Sequence, residues 1–308
     1  MDLSAVGYNL LLYDELESVL GRLSERGIDT IALKGIVFAQ TIYQDISERV
    51  LSDIDLLVKL PDFEGAKAVL LSLGYEHFPY SATTFIRPGS VPVAVDLHVG
   101  LKHLEHISME RVWAEAIPVC LGRACSKMLS HEDTLIYCIS HAVLSHGYFE
   151  AKWSRDIDLF VRHYAEVIRW DLVIARAKEN GLHIPVYHAL RMHRRVFKTP
   201  VPDDALKELS PSGAEWLPSL IFERIVEQKR ALPGMEYVLP VIVKPGIAGR
   251  LGVILRALFP SRQVMARKYH IRHEGLVYFF YLYRMAALLW RGFKAMFFMA
   301  RALLIKGK

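Results

Sequence analysis

Apolar and polar positions alternate in two regimes along the chain. Up to about residue 130, short apolar runs are punctuated by turns. Beyond it, a helical period persists almost to the end. In the first regime, Leu10, Leu11, Leu16, Val19, Leu20 and Leu23 recur at helical spacing over residues 8–26, and Gly27 stops the helix. Residues 28–33 form an apolar strand, and Phe38, Ala39 and Ile42 fall on a following helix. Residues 49–59 form a buried strand ended by Leu60-Pro61-Asp62, and a helix over 62–73 closes at Gly74. Strands at 75–78 and 83–87 surround a Ser-Ala-Thr turn, and Pro88-Gly89-Ser90 leads into the 92–98 strand as a hairpin. A helix at 109–116 precedes two short strands at 117–120 and 127–129.

The second regime opens on Ser130 as a helix N-cap, with Glu132 and Asp133 in the first turn. Helices are predicted over 153–164, 170–180, 185–197, 210–230 and 251–258, with a connection at 231–249 that holds an apolar segment at 237–243. The last helix, 276–305, is roughly 45 Å long at 1.5 Å per residue. The predicted fold is α/β (α+β): a mixed sheet of about five strands with flanking helices, followed by a helical domain. The domain divisions are 1–130, 131–270 and 271–308.

Two acids break the 49–59 strand. Asp53 and Asp55 are two apart, so the strand period puts both carboxylates on one face. Like charges that close raise each other's pKa, and burial adds to the cost. A hard divalent cation, Mg²⁺ or Mn²⁺, resolves the conflict through oxygen ligands. The plainer alternative is a strand end whose acids meet solvent or Arg49. Asp96 stands near the end of the 92–98 strand, and His98 shares its face.

The ordered set Leu33-Lys34-Gly35, Tyr43, Arg49, Ser52-Asp53-Ile54-Asp55-Leu56-Leu57-Val58 and Val95-Asp96-Leu97-His98 resembles the bacterial nucleotidyltransferase family 5, within the DNA polymerase β-like superfamily. Family-like stretches at 170–182 and 260–269 extend the resemblance to about residue 270. The resemblance implies that Asp53, Asp55 and Asp96 hold two Mg²⁺ or Mn²⁺ ions, which clamp a nucleoside triphosphate such as ATP for in-line attack. It implies transfer of a nucleotidyl group to an unidentified acceptor: a small molecule, a glycan precursor or a protein. Lys34, Gly35, Arg49, Ser52 and His98 are the candidate nucleotide contacts. A Gly at a strand-to-helix turn permits close approach of a phosphate, and Lys34 adds a point charge. Gly35 lies 18 residues before Asp53, however, and Lys34 replaces the first Gly of the usual superfamily motif. Arg49 either reaches phosphate or pairs with Glu48 or Asp45. His98 either touches nucleotide or orients Asp96.

In the helical half, the resemblance points to His141 and to Asp156-Ile157. His141 and His146 are five apart, about 140° around an α-helix, which argues against a shared metal site. Arg155-Asp156-Ile157-Asp158 echoes the acidic strand, but on a helix residues two apart diverge by about 200°. Asp156 is either a general base for the acceptor hydroxyl or a helix-start carboxylate on the dipole.

Composition bounds these readings. The chain has 308 residues, 52% hydrophobic and 23% charged, enough for a sizeable core. Cys120, Cys125 and Cys138 form no C-x-x-C pair and read as free buried thiols in a reducing cytosol. The first residues carry no basic segment before an apolar one, so no secretory signal is expected and the protein is placed in the cytoplasm. Residues 241–308 carry 13 Lys and Arg against Glu274, a net +12, while residues 1–240 sum to −7. The longest uncharged run of the last helix, 275–283, is far short of the ~20 residues a bilayer span needs. Arg284, Arg291, Lys294 and Arg301 occupy a narrow sector of it. Such a helix lies on an anionic membrane face or packs against its own domain or a second copy, and packing is expected. No sequence-specific nucleic-acid module accompanies the basic residues. Two other functions fit the pattern: a non-catalytic nucleotide-binding regulator, and a membrane-associated scaffold acting through the last helix.

Overall fold

The structure, a computed structural model, describes residues 3–304 apart from 80, 147–149, 229–238, 240, 244–245, 270 and 272–273. Of the predicted apolar segment at 237–243, residues 237, 238 and 240 lie outside the described residues, and 239 and 241–243 are helical. The chain divides into two compact units, one of residues 1–138 and 154–176, the other of residues 139–153 and 177–308.

The first unit is built on a mixed seven-stranded sheet in the order β3-β4-β5-β2-β1-β7-β6. Its strands are β1 (Ile31–Leu33), β2 (Ile54–Leu57), β3 (Glu76–His77), β4 (Thr84–Arg87), β5 (Val93–His98), β6 (Ile117–Leu121) and β7 (Ala124–Met128). About five strands were expected. The β6–β7 hairpin joins the sheet because β7 pairs in parallel with β1, at Ile31 and Lys127. Gly122 sits at the hairpin turn with φ 64°, and a Cβ there would collide with the Glu17 carboxylate. All four β2 positions are buried, as a central strand covered on both faces requires. In β5, Val93, Val95 and Leu97 are buried while Ala94, Asp96 and His98 share a half-buried opposite face.

The helices of this unit are α1 (Leu3–Glu25), α2 (Gly35–Thr41), α3 (Phe63–Ser72) and α4 (Met109–Ala114), with most of α5 (His131–Ser140), α6 (Ala151–His163) and α7 (Trp170–Glu179). Leu12, Leu16, Val19 and Leu23 of α1 are buried, as their spacing predicts. Each such fully buried Leu or Val contributes about 1.5–3 kcal/mol. Segment 154–176 groups with the sheet rather than with the helices that follow it. Phe160 of α6 lies on Phe38 of α2, ring centroids 5.6 Å apart, and Arg176 of α7 binds Asp133 and Glu115.

The second unit is helical: α8 (His183–Phe197), α9 (Asp203–Leu209), α10 (Trp216–Gln228), α11 (Gly246–Leu258), α12 (Arg262–Lys268) and α13 (Val277–Leu304). Helices α9 and α12, of seven residues each, were not anticipated. Helix α8 packs on α10, and Val186, Ala189 and Leu190 of the one and Phe222 and Val226 of the other are buried, with His188 bonded to Ser219 at 2.9 Å.

Two side-chain expectations are corrected. Cys120 and Cys125 are exposed, not buried. They face each other across β6 and β7 with Sγ atoms 3.1 Å apart, because the hairpin register pairs them. Arg284 does not share an outward basic stripe. It is buried, and its Nε donates to the Ala257 carbonyl at 2.7 Å.

Candidate active site

The site begins with strand register. β2 and β5 run parallel with Asp55 beside Asp96 and Leu57 beside His98. The period of two then brings Asp55, Asp96 and His98 to one face. One ligand atom from each lies within 4.8 Å of the others. Asp53 precedes β2 rather than lying in it, and it is not part of this trio. Its carboxylate accepts from Ser52 Oγ at 2.7 Å, and burial and the nearby Asp55 charge raise its pKa. The backbone carbonyl of Ser52 accepts from the Tyr8 hydroxyl at 3.2 Å.

Asp55 lies in the next strand to Lys34, since β1 and β2 are antiparallel with Leu33 opposite Asp55. Lys34 Nζ is 3.2 Å from Asp55 Oδ2, and His98 Nε2 is 2.8 Å from Oδ1. Burial raises the pKa of Asp55, but the Lys34 ammonium and the His98 hydrogen bond outweigh it and hold the group down at about 2. Lys34 is itself half-buried, and this desolvation disfavours its charge; the Asp55 carboxylate more than compensates and raises its pKa. Its ammonium lies 5.4 Å from the centroid of Tyr137. The Lys34 backbone has φ 56° and ψ −129°, a conformation that costs a non-Gly residue about 1–3 kcal/mol and concentrates at functional sites. Here it accompanies a lysine aimed at Asp55. His98 therefore touches Asp55, not Asp96.

Asp96 is the exception in this paired cluster. Its Oδ1 is buried and has no hydrogen-bond partner among the described residues. A carboxylate oxygen left so is costly unless a ligand satisfies it. The donor set of two carboxylates and one imidazole fits a divalent cation, and the orphaned oxygen is where such an ion finds an acceptor not yet used.

Arg49 and Asp156 form a second constellation. Arg49 Nε and Nη2 donate to the two carboxylate oxygens of Asp156 at 2.8 and 2.9 Å, and Tyr43 donates to Oδ1 at 2.7 Å. Nη1 donates to the Val50 carbonyl at 2.6 Å. Both charged side chains are buried. Asn9 grips the same segment, accepting from Leu51 N and donating to the Arg49 carbonyl. Arg49 thus pairs with neither Glu48 nor Asp45; Glu48 binds Arg155, and Asp45 caps Ser47. Asp156 is the sixth residue of α6, not a helix-start carboxylate, and both of its oxygens already accept hydrogen bonds. Gly35 also serves this cluster. A Cβ there would lie 3.2 Å from Arg49 Nη2 and 3.3 Å from Leu51 Cδ2.

His141 lies in the second unit, with its Nε2 3.1 Å from that of His146. The 140° argument fails because residues 141–145 form a π-helix. Its wider turn brings residues five apart onto one face. Tyr137, Asn9 and Lys102 were not foreseen as site residues. Lys102 is exposed, and its amine is held below its ordinary pKa by partial burial and by the Lys34 charge. No local signal marks these three; their roles come from residues far away in the chain.

The sheet thus gathers two strand carboxylates and an imidazole on one face, with Lys34 bound to one of the carboxylates. The chain belongs to the family described as "Uncharacterised nucleotidyltransferase", whose model matches residues 3–198. That match is shorter than the resemblance to about residue 270 expected from the sequence. No curated protein matches the chain. Among solved structures, it is similar to an antigenic nucleotidyltransferase-like protein from Paracoccidioides brasiliensis, at 16% identity and TM-score 0.45, over 66% of this chain and 95% of that one. It is also similar to the antibiotic-resistance factor ANT(2'')-Ia, at 13% identity and TM-score 0.38, over 61% of this chain and 98% of that one. Among the described residues, no helix is long and apolar enough to cross a membrane.

Proposed function

We propose that this protein transfers a nucleotidyl group from a nucleoside triphosphate such as ATP to an acceptor hydroxyl, using Mg²⁺ or Mn²⁺ held by Asp55 and Asp96 with His98 or Asp53 completing the set. One observation carries this reading: the buried, unpartnered Asp96 Oδ1 beside Asp55 and His98. When bound, a divalent ion supplies charge neutralisation at phosphate and favours deprotonation of the acceptor. Asp55 stays ionised at any physiological pH, because Lys34 and His98 hold it so. Lys34 brings positive charge to a triphosphate at this face. Arg49 and Asp156 act as positioning residues. Their buried pair, gripped by Tyr43 and backed by Asn9, fixes the segment that leads into Asp53 and Asp55. Nucleoside triphosphates are cytosolic, which places the reaction in the cytoplasm.

A non-catalytic nucleotide-binding regulator is the second reading. What favours it is that Lys34 and His98 already compensate Asp55 without a metal ion. The discriminating experiment supplies each of the four α-phosphate-labelled triphosphates with Mg²⁺ or Mn²⁺ and a lysate as the acceptor pool. Asp53→Ala/Asp55→Ala serves as the control. Metal-dependent label transfer, lost in the double variant, is expected, and the labelled species names the acceptor class. Metal-dependent nucleotide binding without transfer would support the regulator. No nucleotide binding at all would refute both.

A further inference from the structure

The apolar residues of α13 are not all used in packing. Phe279, Leu282, Tyr283, Trp290, Phe293 and Phe297 are exposed, with Phe279 at 63%, Trp290 at 59% and Phe293 at 61%. At 100° per residue these six fall within about 100° of one another, a continuous stripe along the helix. The opposite side is the packed one: Val277 and Arg284 are buried, and Tyr269 stacks on Phe280 at 5.1 Å. Lys294 and Arg291 are both exposed, Lys294 about 20° and Arg291 about 80° past one edge of the stripe. Helix α11 adds exposed Leu251, Ile254 and Leu255, beside exposed Arg250 and Arg256.

An apolar stripe of this length on a protein surface marks an interaction site. Its charge says which kind. Residues 241–308 carry 13 Lys and Arg and one acid. A second copy of this chain would bring the same exposed cations, Arg250, Arg256, Arg262, Lys268, Arg291 and Lys294, and repulsion would oppose the pairing. An anionic surface is complementary to it, and Trp and Tyr flanked by cations are the side chains that suit a lipid interface.

We propose that α13, with α11 and α12, docks on an anionic lipid bilayer. The aromatic stripe inserts at the headgroup boundary, and Arg291, Lys294 and their neighbours meet the phosphates. Lys268, Arg284 and Arg291 sit close enough that the Lys268 pKa is lowered, first by partial burial and then by the two guanidinium charges. The helix lies on the membrane and does not span it.

The test is co-sedimentation of the full chain with vesicles of phosphatidylcholine alone or with 30–40% phosphatidylglycerol (roughly a bacterial-type surface charge), without nucleotide. Partition into the anionic vesicles is expected to exceed that into neutral ones by at least ~10-fold and to weaken several-fold at ~0.5 M salt. Trp290→Ser/Phe293→Ser is expected to lower it at least ~10-fold, because the stripe's two central anchors are gone. Arg291→Gln/Lys294→Gln is expected to lower it less and to flatten its salt dependence. Should the first variant misfold by circular dichroism, quenching by brominated lipid answers instead. Wild type would be quenched more than Trp290→Phe if Trp290 enters the bilayer. Equal partition into neutral and anionic vesicles, no partition, or no quenching of Trp290 overturns the proposal. So does a stable dimer in solution, detected by light scattering, that Trp290→Ser/Phe293→Ser dissociates. Tighter binding of a duplex oligonucleotide than of anionic vesicles would likewise reassign the surface.

Discussion

The two units handle charge in opposite ways. The first buries it: Lys34 with Asp55, Arg49 with Asp156, and Arg176 with Asp133, all placed by a sheet and its flanking helices. The second leaves most of its charge outside. Its α8–α10 interior is apolar around a neutral-favouring His188, and cations and aromatics share the outer face of α13. Buried ions are expensive unless rigidly paired, so the first unit is where geometry is most strictly specified. An exposed aromatic and cationic helix specifies little about the fold. It specifies what the protein can touch.

That contrast can be broken most sharply at Asp96. Asp96→Asn removes the carboxylate charge but no ion pair of the described residues. Transfer is expected to fall on the order of 10³-fold, since metal-assisted charge stabilisation is worth several kcal/mol and each 1.36 kcal/mol is tenfold. The melting temperature should change little. A variant with full transfer and normal folding would remove Asp96 from the site.

Next in size is the buried pair. Arg49→Ala leaves the Asp156 carboxylate buried with Tyr43 as its remaining side-chain partner among the described residues, and should destabilise the protein by about 3–5 kcal/mol in denaturant titration. Arg49→Ala/Asp156→Ala should cost less than the two single changes summed. Additive costs would show that the pair is not coupled.

The second unit offers a titration. Burial, helped by Arg191, lowers the His188 pKa to about 4. A histidine whose folded pKa lies below its unfolded value near 6.5 stabilises the neutral form. Its contribution is full above pH ~6.5 and is lost as pH falls toward 4, because the unfolded chain then binds more protons. The loss is on the order of 3 kcal/mol. His188→Gln should flatten the dependence of unfolding free energy on pH across that window; an unchanged slope would assign it to other groups.

The smallest expected effect belongs to the outer face. Trp290→Ser/Phe293→Ser should alter stability by no more than about 0.5 kcal/mol, because exposed side chains away from special features contribute little. A loss of several kcal/mol would mean that the stripe is packed in solution, and the contrast between the units would weaken.

Much of the first unit was legible because its signals are local. The strand period and the breaks at Pro61 and Gly74 mark β2 and α3, and the acids of β2 and β5 stand out because Asp is depleted in strands. Nothing local marks Arg49 and Asp156 as partners: they are 107 residues apart. The π-helix is hidden for a different reason. Residues 141–145 keep an apolar helical pattern, and the change of turn that brings His141 to His146 leaves no trace in residue type. Arg284 was assigned to an outward stripe because helical spacing gives angles around an axis, not which angle faces the neighbour.

The sequence by itself determined the two regimes of periodicity, the candidate acids and the basic end of the chain, because these depend on neighbours a few residues apart. Only the tertiary structure decided that Asp55, Asp96 and His98 come together, that Lys34 occupies Asp55, and which face of α13 is left uncovered. Each of those depends on strand register and helix packing between distant segments, and distance along the chain carries no information about which segments meet until the core has formed.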